Sequence, residues 1–481
     1  MKDIVKIIKE LGNQTNTKVF IVGGYIRDFL LNKISLDLDI AVSKSAEAFA
    51  KKLAKELSGK FIVLDAKNKN YRIAVFNNPK LKYIDVSLML GKTIESDLEK
   101  RDFTINALAV SIDNFDNIKN NLIDCCGGYK DLKNKTINAV SKEIFSKDPL
   151  RMLRCFRLSG ELNFKISKNT LLLIKKNAGK IKKSAPERIK NELFRILDNK
   201  NTTKYVIEMD DYKLLENLFP VIALMKKSAK NFYYHPKGLF QHTIQTLESL
   251  EKIFDKLSYY FKNSNEKLLQ HLNVNFSENV NKRNLLKFIA IFHDCAKPDC
   301  AKKIGKKLRF LEHEEKGAQK IEIIMKSLKM SKKEIDYAKD IVKNHMRPSN
   351  LLKTGNATEK AKLRLFRDIK ENIPDLLLLA LADWHSYKSL KVYSKKILKM
   401  QEKYVSKFID DYFELLNKTS KVRIIDGNVL MKKLSLKPGK LIGDLLRLIE
   451  EKQNEGIINT QLEAILFAKS KLTALQKTYK I

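Results

Sequence analysis

The sequence predicts an α+β protein in which a mixed α/β head is followed by an all-helical remainder. Two patterns carry this reading. Over the first 140 residues, short β-branched runs bounded by turn residues alternate with helical stretches; from about Ser141 strand-like runs almost vanish and apolar residues recur three and four apart. The length of 481 residues implies roughly two to four domains, and a hydrophobic content of 44% is enough to fill real cores, which excludes a wholly disordered chain.

In the head, Lys18–Gly24, Asp37–Val42, Lys60–Asp65, Arg72–Phe76 and Lys82–Met89 read as strands, with helices before, between and after them. Downstream, Asp148–Leu158, Pro186–Leu197, Leu285–Phe292 and Asp375–Asp383 carry helical or continuous apolar patterns. A loop containing Tyr233, Tyr234, His235, Pro236, Lys237 and Gly238 interrupts the periodicity, and Asn263–Asn284, rich in Asn, Ser and Lys, reads as an inserted polar excursion. These breaks place domain edges near 140, 205, 235 and 395: a head over 1–140, a helical neck over 141–205, a helical body over 206–395 and a tail over 396–481.

Lysine and arginine number 93 against 56 acidic residues, a net charge of +37 that attracts polyanions by counterion release. Nucleic acid is the partner that charge alone favours, although lysine is abundant everywhere and the excess could be compositional. No stretch approaches the roughly 18 apolar residues of a membrane span, and lysines break the apolar stripe of the first twelve residues, so a cytoplasmic protein with no membrane partner is expected. Cys125, Cys126, Cys155, Cys295 and Cys300 are odd in number and lack paired CxxC spacing, as ordinary reduced thiols would. The sequence sets no oligomeric state.

The head holds a pattern suited to phosphate chemistry. Gly23-Gly24-Tyr25-Ile26-Arg27-Asp28 follows a predicted strand and opens a predicted helix, which suits a turn whose N–H groups meet phosphate. Asp37-Leu38-Asp39 lies in the next predicted strand, where alternation puts both carboxylates on one face. Two like charges that close need a cation, and magnesium supplies it. Asp85, in a further predicted strand, can bring a third carboxylate beside them, the arrangement used in two-metal phosphoryl transfer. A strand-end acidic pair in a solvated loop is the alternative for this motif taken alone.

Four segments in order, Gly23–Val42 (GGYIRDFLLNKISLDLDIAV), Lys100–Val110 (KRDFTINALAV), Asp148–Leu158 (DPLRMLRCFRL) and Pro186–Leu197 (PERIKNELFRIL), resemble the signature of the class II tRNA nucleotidyltransferase and bacterial poly(A) polymerase family. The resemblance implies a nucleotidyltransferase head of the polymerase-beta-like fold. It implies catalytic magnesium at Asp37 and Asp39, with Asp85 as third carboxylate, and a triphosphate pocket shaped by Gly23, Gly24, Arg27 and Asp28. Arg101, Asp102 and Asn106 would contact ribose and phosphates, while Asp148, Arg151 and Arg154 would template the incoming base. A carboxylate and a guanidinium at i and i+3 of one helical face can pair with a Watson–Crick edge. Glu187 and Arg188 would brace that helix. The chain departs from the family pattern at Lys147, where the family has Glu, and at Lys100, where it has a second arginine.

Further on, His242 precedes a predicted helix, His293-Asp294 ends the apolar run Leu285–Phe292 and Asp383 closes Asp375–Asp383, and histidine and aspartate at the ends of separate apolar helices converge readily on a metal. Each histidine taken singly reads as a hydrogen-bonded core residue. With His313 and His345 added, the set resembles the HD phosphohydrolase domain that some members of the same family carry, here over about 235–395. His242, His293, Asp294 and Asp383 would be the minimal one-metal set; His313 and His345 would either permit a second ion or line the pocket. Imidazoles favour Ni2+, Mn2+, Co2+ or Zn2+ over magnesium. The segment Arg423–Gly456 resembles the family's tRNA-gripping tail.

The resemblance therefore implies template-independent addition of C, A or both to tRNA 3′ ends from CTP and ATP, with an accessory phosphohydrolase. The rivals are a poly(A) polymerase, an enzyme restricted to CC or A addition, and an HD phosphohydrolase whose head is a degenerate RNA-binding module. A pure RNA chaperone would account for the charge alone.

Overall fold

The structure, a computed structural model, describes residues 2–479 apart from 77, 80, 229, 233–234, 306, 354–357, 388–393, 420–423 and 455–456. Tyr233 and Tyr234 of the interrupting loop, and the tail-segment ends Arg423 and Gly456, lie outside the described residues. The chain divides into two compact units, Met1–Ile244 with Asn275–Lys339, and Gln245–Val274 with Asp340–Ile481.

The first unit begins with α1 (Lys2–Gln14), β1 (Val19–Val22), α2 (Gly24–Leu30), β2 (Asp37–Val42), α3 (Ala46–Glu56), β3 (Lys60–Asp65), β4 (Asn70–Ala74), β5 (Tyr83–Leu88), α4 (Ile94–Leu98) and β6 (Ala109–Ser111). The six strands form one sheet in the order β3-β4-β5-β2-β1-β6. Only β2 and β5 run parallel; every other neighbour is antiparallel. All five strands read from the sequence form. The sixth, β6, is three residues long, too short to display an alternation. In β2, Leu38 and Ile40 are fully buried, so the pleat turns Asp37 and Asp39 to the other face. Helix α3 packs on β4 and β5 and α1 on β1, with Ile8, Phe49 and Leu53 closing the core.

After the sheet come α5 (Gly128–Lys133), β7 (Thr136–Ile137), α6 (Ile144–Lys147), α7 (Arg151–Leu162), β8 (Lys165–Ile166), α8 (Lys168–Asn177) and α9 (Pro186–Leu197). Helix α9 starts on proline, whose missing N–H costs nothing at a helix's first turn. Helices α7 and α9 pack together. Phe156 and Phe194 are fully buried, and an ion network centred on buried Arg157 joins it to Glu192 (2.6 Å) and to the exposed Glu161 (2.6 Å), which also pairs with exposed Arg195 (2.7 Å).

The remainder is not purely helical. Two-stranded pairs occur at Lys230–Phe232 with His235–Lys237, Asn275–Ser277 with Val280–Asn281, and Ala301–Ile304 with Lys307–Phe310. Strands of two to four residues leave no periodic signal, which is why the sequence pattern passed over them. The polar excursion Asn263–Asn284 is also ordered: it contains the helix Asn265–Leu272 with Leu268 and Leu272 fully buried. Its asparagines do structural work, since Asn281 and Asn284 form a reciprocal capping box at the start of the helix Lys282–Phe292.

The second unit is helical among its described residues, and includes Glu359–Ile369, Ile373–Ser386, Lys395–Thr419, Gly427–Leu434, Lys440–Asn454 and Gln461–Tyr479. Ile373–Ser386 is buried all round, with Trp384 donating its indole N–H to Ser349 Oγ at 2.8 Å. The last three helices share a separate small core built on Leu430, Leu445, Ile449 and Ile458. No helix among the described residues is long and apolar enough to cross a membrane, and all five cysteines are free.

Truncating Arg157 to alanine would leave the largely buried Glu192 without its partner, while Glu161 keeps Arg195, so Arg157→Ala is expected to cost about 3 kcal/mol of stability, whereas an Arg157→Met, Glu192→Leu double variant should recover most of it. Urea unfolding of the three proteins checks this.

Candidate active site and metal centre

The turn after β1 shows why two glycines stand there. Gly23 has φ +67°, and a Cβ on it would lie 3.0 Å from Arg101 Nη1. Gly24 donates its backbone N–H to Asp39 Oδ2 at 3.0 Å, and a Cβ there would come within 3.1 Å of the same oxygen. The positive φ at Gly23 favours glycine, and at Gly24 a side chain would crowd the carboxylate that its N–H meets.

Asp37 and Asp39 share one face of β2, and the parallel register sets Asp85 of β5 directly beside Asp39. Burial raises the Asp39 carboxyl above its ordinary range, repulsion from Asp85 adds to this, and Arg101, Arg154 and the Gly24 N–H oppose it. Burial also raises Asp37, with Arg72 pulling down and Asp85 pushing up. Two carboxyls raised by burial and by repulsion from Asp85 are the donor set a divalent cation fits. Asp85 has both oxygens on Arg72, at 2.7 Å to Nε and 2.8 Å to Nη2, and the same guanidinium lies over the Tyr83 ring.

Asp28, Arg27, Asn106, Asp102 and the neck residue Arg154 form one chain of hydrogen bonds and ion pairs. Arg27 grips Asp28 through Nε (2.8 Å) and Nη2 (3.0 Å) and donates Nη1 to Asn106 Oδ1 at 2.8 Å. Asn106 Nδ2 donates to Asp102 Oδ1 at 3.0 Å, the Phe103 N–H donates to the same oxygen at 2.8 Å, and Arg154 Nε lies 2.9 Å from Asp102 Oδ2. Burial disfavours the Asp102 charge, but Arg154, Asn106, Arg151 and the Phe103 N–H together hold the carboxyl below its ordinary value. Arg101 is fixed by Asp97, with Nε and Nη2 each 3.0 Å from Oδ2.

One expectation is corrected. Asp148 and Arg151 do not share a helical face, because Asp148 is extended (φ −138°, ψ 98°) between α6 and α7, and Arg151 is the first residue of α7. The proline at 149 disfavours a helical Asp148 and breaks the run. The two are nonetheless both anchored: Asp148 Oδ2 lies 3.2 Å from Arg188 Nη2 of α9, and Arg151 donates to the Arg101 carbonyl at 3.3 Å. Lys147 turns back to Glu143 at 2.9 Å in an exposed pair.

A second cluster lies elsewhere in the first unit. His242 does not precede its helix but lies in the first turn of Leu239–Asp255, which starts directly after Gly238 (φ +94°); His293 closes Lys282–Phe292, Asp294 follows it, and His313 opens His313–Ser327. All four are buried. Asp294 Oδ2 lies 3.4 Å from Nε2 of both His242 and His293, and its Oδ1 lies 3.5 Å from His313 Nε2. His293 and His313 donate their Nδ1–H to the carbonyls of Ala290 (2.9 Å) and Phe310 (2.7 Å), the tautomer that turns the Nε2 lone pair toward the carboxylate. Lys297, which the sequence reading missed, places Nζ 2.5 Å from Asp294 Oδ2; its signal was its position one turn after Asp294. Burial opposes the Asp294 charge, yet the Lys297 ammonium beside it holds it well below the carboxylate range. A carboxylate among inward-turned imidazoles suits a transition metal. In the second unit, His345 is buried with Nδ1 2.6 Å from the Val342 carbonyl, and Asp383 lies on Ile373–Ser386.

Three family models match: the poly A polymerase head domain over residues 19–138, the probable RNA and SrmB-binding site of polymerase A over 163–225, and the HD domain over 239–388. The chain belongs to the class II tRNA nucleotidyltransferase and poly(A) polymerase family, with an HD domain. It is 37% identical over 203 residues to a CC-adding tRNA nucleotidyltransferase of Geobacter sulfurreducens, 42% of this chain and 46% of that protein, and so spans less than half of that relative. To an A-adding tRNA nucleotidyltransferase of Deinococcus radiodurans it is 25% identical over 459 residues, 93% of this chain and 94% of that one. Its fold is similar to that of a Thermotoga maritima CCA-adding enzyme complexed with tRNA, with TM-score 0.62 and 22% identity over 98% of this chain and 95% of the other.

The depressed Asp102 carboxyl makes a pH prediction. Its contribution to stability should be complete above the unfolded value near pH 4 and disappear as pH falls through its lower native value, so the stability gap between wild type and Asp102→Asn should shrink in acid. Urea unfolding from neutral pH down to about pH 2 reads it, with a gap at neutrality of about 1–3 kcal/mol.

Proposed function

We propose that this protein adds C, A or both to the 3′ end of tRNA from CTP and ATP without a nucleic-acid template, releasing pyrophosphate. The observation that carries the reading is the same-face pair Asp37 and Asp39, with Asp39 held by the Gly24 N–H, inside a head where Arg27, Asn106, Asp102 and Arg154 are joined in one chain. Magnesium bound at this pair supplies Lewis-acid activation of the attacking 3′ hydroxyl and neutralises the triphosphate. Gly23, Gly24, Arg27 and Asp28 shape the triphosphate pocket, and Arg101, Asp102 and Asn106 meet the ribose and phosphates. Asp148 and Arg151 present an acceptor and a guanidinium fork to the incoming base, and Arg154 orients Asp102 from the neck helix. The net charge of +37 and the match to an RNA-binding family model over 163–225 support a tRNA partner. The division into head, neck, body and tail near 140, 205, 235 and 395 belongs to the same reading.

Extension of tRNA lacking CCA, of tRNA lacking only the terminal A, and of generic RNA, with each triphosphate in turn, separates CCA, CC, A and poly(A) addition. Asp37→Ala or Asp39→Ala should cut nucleotide addition on the order of a thousandfold or more while tRNA binding in a filter assay stays near normal. Near-normal turnover in either variant would sink the assignment.

We further propose that His242, His293, Asp294 and His313, with His345 and Asp383 as the remaining ligands implied by the HD resemblance, make a site for Ni2+, Mn2+, Co2+ or Zn2+. A metal there supplies an acidified water for attack on phosphorus. Lys297 keeps Asp294 ionised. Phosphatase or 2′,3′-cyclic phosphodiesterase activity, stimulated by one of these metals, should vanish in a His293→Ala, Asp294→Ala variant that still adds nucleotides. Protein that takes up no such metal by elemental analysis, and hydrolyses neither substrate, would defeat this claim.

A further inference from the structure

The loop between β6 and α5 brings two thiols together. Cys125 and Cys126 are neighbours in sequence, and their sulfurs lie 3.6 Å apart. Adjacency alone does not bring this about, because consecutive side chains of an extended chain point to opposite sides. Here the backbone bends at both residues, and the bend is pinned before and after. Ile123 pairs with Ala109 of β6; Asp124 accepts the N–H groups of Gly128 at 2.8 Å and Tyr129 at 2.9 Å, and Gly127 takes φ +74° at the start of α5. Cys126 is half-buried against the apolar cluster that includes Ile94, Leu98 and Ala109. Cys125 is exposed, with its Sγ 3.8 Å from the Glu95 carbonyl oxygen, whereas Cys155, Cys295 and Cys300 are all buried. We propose that Cys125 and Cys126 form a chelating dithiol that binds one trivalent arsenic centre bearing a single organic group between its two sulfurs.

The distance between the sulfurs selects the occupant. Two sulfurs on one tetrahedral zinc ion, each about 2.3 Å from it, stand roughly 3.8 Å apart, so one bridging soft atom fits the pair nearly as it stands. A disulfide does not fit: it needs sulfurs about 2.05 Å apart and Cα atoms usually about 4.4–6.8 Å apart, whereas adjacent Cα atoms are about 3.8 Å apart. Zinc itself asks for four ligands, and among the described residues no compact set of ligating side chains includes these cysteines. Trivalent arsenic with one organic group has two valences left, which two sulfurs fill. When an arsenoxide, R–As=O, meets the pair, two As–S bonds form, the bond to oxygen breaks, and the oxygen leaves as water with both thiol protons; arsenic keeps its oxidation state. Burial, reinforced by the hydrogen bond and charge of Cys125, pushes the Cys126 thiol up to about 12, so at neutral pH it stays protonated and attacks disulfides slowly. The exposed Cys125 is the point of entry.

The test treats the reduced full-length protein with phenylarsine oxide and reads intact mass and thiol titre, with circular dichroism establishing that each variant is folded. Wild type should take up one phenylarsenic group per chain with the loss of two thiols. It should keep that group through washing with a monothiol, glutathione, and release it to 1,2-ethanedithiol. Cys125→Ser and Cys126→Ser each retain one sulfur of the pair and should lose the adduct to glutathione about a hundredfold faster or more, because the second As–S bond is intramolecular only when both sulfurs are present. Wild type that releases the group to glutathione as fast as Cys125→Ser does would overturn the proposal. So would an adduct that withstands glutathione in Cys125→Ser, since a different thiol would then be holding it.

Discussion

The buried carboxylate of Asp102 is the constraint on which the first unit's site depends. It accepts from Asn106 and from the Phe103 N–H on one oxygen and pairs with Arg154 on the other. Through Asn106 it fixes Arg27, and through Arg27 it fixes Asp28, so residues of the glycine turn, the second motif and the neck helix are oriented by one ionised group. Removing a charge from water is costly, and the cost is met only when several donors converge with good geometry. That requirement ties segments some 125 residues apart (Arg27 to Arg154) into a single arrangement and explains why the motifs cannot be understood separately.

Elsewhere the same rule produces different solutions. Asp39 and Asp37 are raised by burial and by Asp85, whose own oxygens meet Arg72. In the second cluster, Asp294 is surrounded by an ammonium and three imidazoles and is held far down. Carboxylates of one intrinsic acidity are thus driven apart by environment, upward where burial and a neighbouring acid dominate and downward where an ammonium stands beside the group. The histidine tautomers extend this: backbone carbonyls take the Nδ1–H of His293 and His313, and the nitrogen that can bind a metal is left facing inward.

Much of this was legible in the residues. Strand alternation in Asp37-Leu38-Asp39 determines that both carboxylates share a face, a local consequence of the pleat that no tertiary contact can alter without flipping Leu38 out of the core. The five long strands, the helical character of Pro186–Leu197 and the order of the four motifs were likewise written in periodicity and spacing. What periodicity could not show were elements shorter than its own wavelength: β6, and the small hairpins within the helical remainder.

Only the folded chain decided partners. The sequence places Arg72 in a strand but does not say that its neighbour across the sheet is Asp85, because strand order is set by packing and not by local pattern. It offers Asp148 and Arg151 at helical spacing, yet Pro149 and the turn into α7 put them on different backbone conformations. Lys297 carries only its spacing from Asp294 as a sequence signal, and the fold alone shows that the two are buried together. The sequence by itself determined which residue types face one another along a single element; tertiary structure decided which charges meet across elements, since electrostatic energy falls with distances that only the fold can close.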